Sequence, residues 1–352
     1  MRCDIVIVGA GPAGFWAAKT AAEEGLDVVV LEEHPAIGLP KHCSGWLLGC
    51  EFTYRFFSEI KEALPYQKVF KMKVIDPFSE RIKEEIEDTG WGGYLVRREL
   101  FDRELARLAL LAGAKLFLNV KVKELLKEEG RVVGVSTTSR RLPEVRAKVT
   151  ICADGMKSAT SGGLAKREIA SEEEAETYTG LQMELVGVDE VSPGEIEIYD
   201  SEDPLLSGRS LWPHAAGVTL ASFSSMDHFL QLKKRKDNLL SRKISRASPI
   251  YVGGFPNRKK MGFFYRKVAK EGALFVGEAA GASGIVHGMI SGLYAAKVAK
   301  KAVKENDLMI LRDYEEVLRD SDIYRNPFCY RHIKEVYGSY AKWLEATKEI
   351  RL

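Results

Sequence analysis

The sequence is short of several things, and each shortage removes a class of protein. Its five cysteines, Cys3, Cys43, Cys50, Cys152 and Cys329, are odd in number, scattered and without a C-x-x-C pair. That excludes a disulfide framework and a zinc site, and predicts free thiols in a cytoplasmic setting. No run of eighteen uncharged apolar residues exists, so no transmembrane helix is expected. No signal peptide is expected either. The first apolar run starts after Asp4, and Lys19, Glu23 and Glu24 interrupt the next one. Charge of one sign is not in excess: the net charge is +2 with 29% charged residues, which does not indicate a nucleic-acid partner. Three Gln and five Asn stand beside abundant Lys and Glu, a bias that points to a thermophile. No repeat or low-complexity segment is visible. With 352 residues the chain can bury a large core and form two domains.

What is present is concentrated at the start. Ile5 to Val8 is an all-apolar, β-branched run that reads as a strand buried on both faces. Gly9, Gly11 and Gly14 come next at G-x-G-x-x-G spacing, with Pro12 and Ala13 inside the motif. Gly9 makes the tight turn. Gly11 lets the backbone approach a pyrophosphate, and Gly14 lets the next helix pack on the strand. That helix, about Ala13 to Glu24, aims its N-terminal N–H groups at the phosphates. Asp27 to Leu31 is a second buried strand, and Glu32 at its end, with Glu33 after it, is placed to accept hydrogen bonds from a ribose diol. A strand before the glycines, a helix after them and an acid beyond make a dinucleotide site. The acid argues against a 2′-phosphate and does not separate NAD from FAD.

Further along, His34 to Trp46 is too rich in Pro and Gly for a regular element. Phe52 to Leu64 reads as helix. Val69 to Ile75 and Arg81 to Ile86 read as a hairpin around Asp76-Pro-Phe-Ser79. Arg98 to Ala112 is a strongly periodic helix, succeeded by strands at Lys115–Leu118, Val120–Leu126, Gly130–Ser136 and Val145–Cys152. Four strands between Tyr178 and Phe223, with one basic helix near Met226–Arg242, predict a mostly antiparallel sheet suited to walling a substrate cavity. Gly272 to Gly281 reads as a buried strand ending in an acid and small residues, and His287 to Val303 as a helix. The expected division is a discontinuous nucleotide domain (1–70, 96–175 and 266–306), an inserted substrate domain (71–95 and 176–265) and a C-terminal helical segment (307–352). The fold class is α/β, with a Rossmann-type nucleotide-binding domain.

Two later motifs sit at strand ends: Ile151-Cys-Ala-Asp154-Gly155, with Ser158 after it, and Leu274-Phe-Val-Gly277-Glu278-Ala-Ala-Gly281. In this order the chain resembles the glutathione-reductase and p-hydroxybenzoate-hydroxylase-like flavoproteins over roughly residues 1–306. The resemblance implies FAD. It implies Asp154 and Gly155 near the pyrophosphate, Glu278 on the ribityl chain, and Gly288 and Met289 at a helix start facing the flavin. Arg98 matches a position contacting the flavin or its phosphates, and Val122 one whose backbone meets adenine. The loop Ile37-Gly38-Leu-Pro-Lys-His42-Cys43-Ser44-Gly45 resembles the geranylgeranyl reductase family, in which a cysteine in such a loop lies beside the isoalloxazine. That family reduces isolated double bonds of isoprenoid chains, including those of archaeal membrane lipids. Its aromatic Tyr-x-Trp-x-Phe-Pro segment is represented only by Leu211-Trp212-Pro213.

Reduction of an isolated alkene by reduced flavin needs a proton on the second carbon. The donor must lie within hydrogen-bond reach in a dry channel. Cys43 is the first candidate, His42 and His287 the second. Trp46, Trp91, Trp212, Phe223, Phe255, Phe263 and Phe264 are candidates for lining an apolar cavity, with core packing the plainer reading of each. No second G-x-G-x-x-G supports a nicotinamide domain, so NAD(P)H, ferredoxin and a small reductant all stand as electron donors. The C-terminal Tyr330–Ile350 stretch is a candidate for peripheral membrane contact, with packing on the domain the commoner outcome. Three other readings stand beside an isoprenoid reductase: an aromatic hydroxylase, a non-redox flavoprotein of the lycopene-cyclase kind, and a flavin binder without catalysis.

Overall fold

The computed structural model describes residues 1–41, 43–160, 163–168, 177–214, 217–223, 225–258, 267–282, 284–321, 339 and 342. In chain order the elements are β1 (Arg2–Val8), α1 (Pro12–Glu23), β2 (Val28–Leu31), β3 (Trp46–Leu47), α2 (Glu51–Ile60), β4 (Tyr66–Lys68), β5 (Lys71–Ile75), β6 (Ile82–Glu87), β7 (Tyr94–Val96), α3 (Arg98–Leu111) and β8 (Lys115–Phe117). Next come β9 (Val122–Glu128), β10 (Arg131–Thr137), β11 (Glu144–Cys152), α4 (Gly155–Thr160), α5 (Leu164–Glu168), β12 (Thr177–Val186), β13 (Glu195–Tyr199), β14 (Arg209–His214) and β15 (Gly217–Phe223). The last are α6 (Met226–Lys234), α7 (Leu239–Lys243), β16 (Ser248–Arg258), β17 (Ala269–Lys270), β18 (Ala273–Phe275), α8 (Ile285–Glu305) and α9 (Asp313–Asp320).

The first sheet runs β17-β18-β11-β1-β2-β8, with β9 and β10 paired off β11. The pairs β18–β11, β11–β1, β1–β2 and β2–β8 are all parallel. Parallel strands must be covered on both faces, and Ile5–Val8 of β1 and all of β2 are accordingly apolar and buried. α1 packs against α8 and α3, closing one layer. The registers Val8↔Cys152 and Cys152↔Phe275 bring the carboxyl ends of three strands side by side, although they come from three distant parts of the chain.

The second sheet has the order β16-β12-β15-β14-β13-β5-β6. The hairpin β5–β6 forms as the sequence predicts. Its turn is held by Asp76 Oδ1, which accepts from the N–H groups of Phe78 and Ser79 at 3.0 Å each. It joins the larger sheet through a parallel pairing with β13, the exception in an otherwise antiparallel set. One face of this sheet is sealed by Met183, Leu185, Phe229, Leu232, Leu240 and Ile244.

Two expectations are corrected. The basic helix expected at Met226–Arg242 is two helices. Arg235 turns extended (φ −72°, ψ 152°), and Asn238 caps α7 by accepting from Ser241 N at 2.9 Å. A side chain that satisfies helix-start donors starts a new helix and does not continue an old one. The sequence pattern also gives no sign of β16, whose Pro249, Gly253, Gly254 and Pro256 read as breakers. They are tolerated because β16 is an edge strand, with only one ladder to satisfy.

Among the described residues no helix is long and apolar enough to cross a membrane, and no His, Cys, Asp and Glu cluster could hold a metal. The aromatic C-terminal stretch, Tyr330–Ile350, lies outside the described residues apart from residues 339 and 342.

Candidate active site

The glycines divide by what surrounds them. Gly9 has φ +98°, and a Cβ there would lie 2.4 Å from Ala153 O. A Cβ on Gly14 would lie 2.1 Å from Gly9 O. The packing of α1 on the strand ends therefore forces both to be glycine. Gly11 differs: a Cβ there would meet nothing within 4 Å. The same holds at Gly155, with φ +68°. No side chain caps α1, whose N-cap is Gly11 and whose first turn contains no acid. Its early N–H groups, including those of Ala13 and Gly14, are therefore open to an anion.

Glu32 comes directly after β2 and is built into the same end of the sheet. Its Oε2 accepts from Ala10 N at 2.9 Å and its Oε1 from His34 N at 2.9 Å. The His34 ring Nδ1 also lies 2.6 Å from Oε1, so Oε2 is the oxygen that retains a second lone pair. Val120 N donates to Glu32 O at 2.8 Å, and Lys121 lies 3.4 Å from Glu33. The approach to Val122 thus runs beside the two acids.

Asp154 and Gly155 lie just past β11, and Gly277 and Glu278 just past β18, beside the glycine turn. Gly277, Gly288 and Ala13 converge: Cβ atoms built on the two glycines would lie 2.9 and 3.6 Å from the Ala13 Cβ. These small residues also let α8 approach α1. Met289 is fully buried in the core, and His287 is buried in the first turn of α8.

The cysteine loop reaches the site from the other side. It exits through β3, which pairs with β7 at Trp46↔Leu95. Gly45 N donates to Cys43 Sγ at 3.4 Å, and Gly45 O accepts from Val96 N at 2.9 Å. Arg98 opens α3 and is buried, with Nε and Nη2 donating to Asp102 Oδ1 and Oδ2 at 2.8 and 2.7 Å. Burial opposes its charge. Asp102, and then the Cys43 sulfur beside it, more than offset this, so the guanidinium stays firmly charged. Asp102→Ala strands that charge without its partner. We expect it to lower the unfolding free energy by about 3–5 kcal/mol, read from urea midpoints.

Cys43, Ser44 and Arg98 border an open cleft between the loop, the start of α3 and the second sheet. Its other walls include Lys41, Glu99, Glu184, His214 and Tyr251. Tyr251 OH donates to Lys41 O at 2.7 Å, the Lys41 ammonium stands 4.7 Å over the Tyr251 ring, and its Nζ pairs with Glu184. The second sheet thereby grips the cysteine loop. Burial holds His214 below the usual histidine range. Sequence motifs do not point to these charged residues, although Gln182 and Glu184 at alternate positions of an otherwise apolar strand are a readable sign of a polar face.

The tryptophans do not line this cleft. Trp46, Trp91 and Trp212 are buried against each other, with ring centroids 6.3 Å (Trp46–Trp91) and 5.2 Å (Trp46–Trp212) apart. Their indole N–H groups are spent on Gly92 O, Glu87 O and Ser210 Oγ. Core packing accounts for all three. His42, Phe263 and Phe264 lie outside the described residues, and nothing is described of the Phe223 and Phe255 side chains.

A parallel sheet with a glycine turn and an acid at adjacent strand ends, carrying an inserted antiparallel sheet, defines a flavoprotein of the glutathione-reductase and p-hydroxybenzoate-hydroxylase-like class. A family model described as FAD dependent oxidoreductase matches residues 4–242. Among curated proteins, digeranylgeranylglycerophospholipid reductase 2 of Methanopyrus kandleri is 32% identical over 337 residues, covering 87% of this chain and 79% of that one. Digeranylgeranylglycerophospholipid reductase 1 of Methanosphaera stadtmanae is 27% identical over 335 residues, covering 92% and 81%. The chain belongs to the family of FAD-dependent oxidoreductases that includes the digeranylgeranylglycerophospholipid reductases. Solved structures agree on the fold. A geranylgeranyl bacteriochlorophyll reductase-like protein from Thermoplasma acidophilum superposes with a TM-score of 0.77 at 22% identity, covering 99% of this chain and 96% of that one. The myxobacterial chondrochloren halogenase CndH gives 0.71 at 17% identity, covering 99% and 86%.

FAD is the family's cofactor, and the residues fit it. Gly11 and Gly155 leave open the space that a pyrophosphate needs, while their neighbours Gly9 and Gly14 are closed by packing.

Proposed function

We propose that this protein is an FAD-dependent reductase of isolated double bonds in isoprenoid chains, acting on archaeal-type glycerophospholipids. The observation that carries this reading is the similarity, over nine-tenths of the chain, to proteins named for that activity. The placement of the Cys43 loop against Arg98 and the second sheet supports it. The substrate is apolar, and a reductant must resupply electrons. NAD(P)H, ferredoxin and a small reductant serve equally in this scheme.

When bound and reduced, FAD supplies a hydride to one alkene carbon. The chain's part concerns the other carbon, which must take a proton. Cys43 Sγ holds that proton at the cleft wall. The Arg98 guanidinium, fixed on Asp102, faces the charge left on sulfur once the proton moves, and shields it without taking a proton itself. Gly11, the open N-terminus of α1, Glu32, Glu33, Val122, Asp154 and Gly155 hold the adenosine and phosphate end in this reading. Glu278, Gly288 and Met289 stand at the flavin end, with Ser44 beside Cys43.

The test is anaerobic. The FAD-loaded protein is photoreduced and mixed with a digeranylgeranyl glycerophospholipid. Flavin reoxidation, with a gain of one pair of hydrogen atoms per reduced double bond in the lipid mass spectrum, is expected. Reoxidation by oxygen alone, with the lipid mass unchanged, overturns the reading.

A further inference from the structure

The cleft beside Cys43 holds two acidic side chains that the mechanism does not use. Glu184 is 4% exposed, and its Oε2 pairs with Lys41. Its Oε1 is shielded from solvent and has no hydrogen-bond donor among the described residues. Arg97 Nη2 lies 3.9 Å from that atom, beyond hydrogen-bond reach. Glu99 repeats the pattern: Oε1 accepts from Arg97 Nε at 2.7 Å, while Oε2 is buried without a hydrogen-bond donor among the described residues and lies 3.9 Å from Lys41. Both residues border the cleft. Buried acceptors of this kind are costly to leave unmatched, and two on residues that border one cleft make a site that asks for a donor.

The charge balance says what kind of donor. Glu184 and Glu99 face Lys41 and Arg97, and Arg98 is matched by Asp102. Burial holds His214 below the usual histidine range, so it adds no charge at neutral pH. Among the described residues the walls are neutral in sum. A phosphate or an ammonium would upset that balance, and a hydrocarbon offers no donor. A neutral hydroxyl completes it.

We propose that this cleft is a subsite for a hydroxyl group at the polar end of the substrate, whose O–H donates to Glu184 Oε1 with Glu99 as the second acceptor. The proposal rests on the reductase reading above and adds to it a preference for hydroxyl-bearing amphiphiles. Lys41 is a positioning residue here: it fixes Glu184 and, through the same loop, the place of Cys43.

The test compares a prenyl alcohol with its O-methyl ether, which keeps the chain and the oxygen but cannot donate. Each is titrated into the FAD-loaded protein, with the change in flavin absorbance as the signal, and each is then assayed for reduction. The alcohol is expected to bind about tenfold tighter. Glu184→Gln is expected to cut the preference to less than about threefold while the flavin stays bound. Glu99→Gln, which leaves the Lys41–Glu184 pair in place, provides the same reading should Glu184→Gln fail to fold. Equal affinity for alcohol and ether in the unaltered protein, with both reduced, overturns the subsite and leaves the reductase reading standing. So does a full preference surviving in either variant. If neither compound binds or is reduced, the subsite falls, and the glycerophospholipid assay described above decides the reductase reading separately.

Discussion

Replacing Cys43 with Ala should leave FAD bound and slow single-turnover reoxidation by an isoprenoid substrate by at least about a hundredfold. Flavin retention is expected because the cofactor's adenosine and phosphate end is served by other elements, α1 and the ends of β2 and β11. Loss of rate is expected because an isolated alkene has no carbonyl to hold developing charge, so hydride delivery requires a proton in near concert. Cys43 sits half-buried at the cleft wall, with Gly45 N 3.4 Å from its sulfur and the Arg98 guanidinium beside it. Ala removes the proton and leaves the loop's anchors, Lys41 to Glu184 and Gly45 to Val96, untouched. Stopped-flow absorbance of the photoreduced protein reads the rate directly. A rate equal to that of the unaltered protein removes Cys43 from the mechanism and leaves it a packing residue. Cys43→Ser separates the role of the proton from that of the side chain's size. It keeps a donor of similar size but a weaker acid, so it should fall between Cys and Ala.

Substituting valine at Gly11 and at Gly14 should give opposite failures. A side chain at Gly14 runs into Gly9 O, already 2.1 Å from an ideal Cβ, where neither partner can yield because both belong to the backbone at the heart of the fold. Gly14→Val should destabilise the protein by at least about 3 kcal/mol or prevent its accumulation. A Cβ at Gly11 meets nothing within 4 Å beyond its own chain neighbours. Gly11→Val should keep the unfolding midpoint of the FAD-free protein within a degree or so and weaken FAD binding by at least about a hundredfold, since the branched side chain occupies the approach to the pyrophosphate. Thermal and denaturant unfolding of the FAD-free variants and fluorescence titration with FAD separate the two effects. If Gly11→Val binds FAD normally, the pyrophosphate does not pass there.

The two pairs of glycines show why a motif can be read from sequence while its members differ in purpose. G-x-G-x-x-G reports a local turn, and local geometry is written in spacing. The hairpin at Asp76 was legible for the same reason: its Asx turn is closed by residues two and three positions away. β16 was not legible, because its prolines and glycines say nothing of which edge they occupy. The break between α6 and α7 was visible in Asn238, yet the basic run on either side of it reads as one helix. The tryptophans show the limit most plainly. Composition cannot say whether three indoles line a cavity or fill a core, and here their N–H groups are consumed inside the protein.

Sequence by itself determined that this chain opens with a Rossmann-type dinucleotide-binding unit, because strand, glycine turn, helix and acid lie within about thirty residues and dictate one another through short-range geometry. Tertiary structure alone decided what faces Cys43. Lys41 and Glu184 stand 143 residues apart in the chain. Glu184 meets the cysteine loop because strand pairing fixes its side of the sheet, and a shift of one residue in β12 would turn Glu184 into the apolar layer. No spacing along the polypeptide encodes that choice. It comes from burying the apolar face of the second sheet, which leaves the carboxylate nowhere else to point.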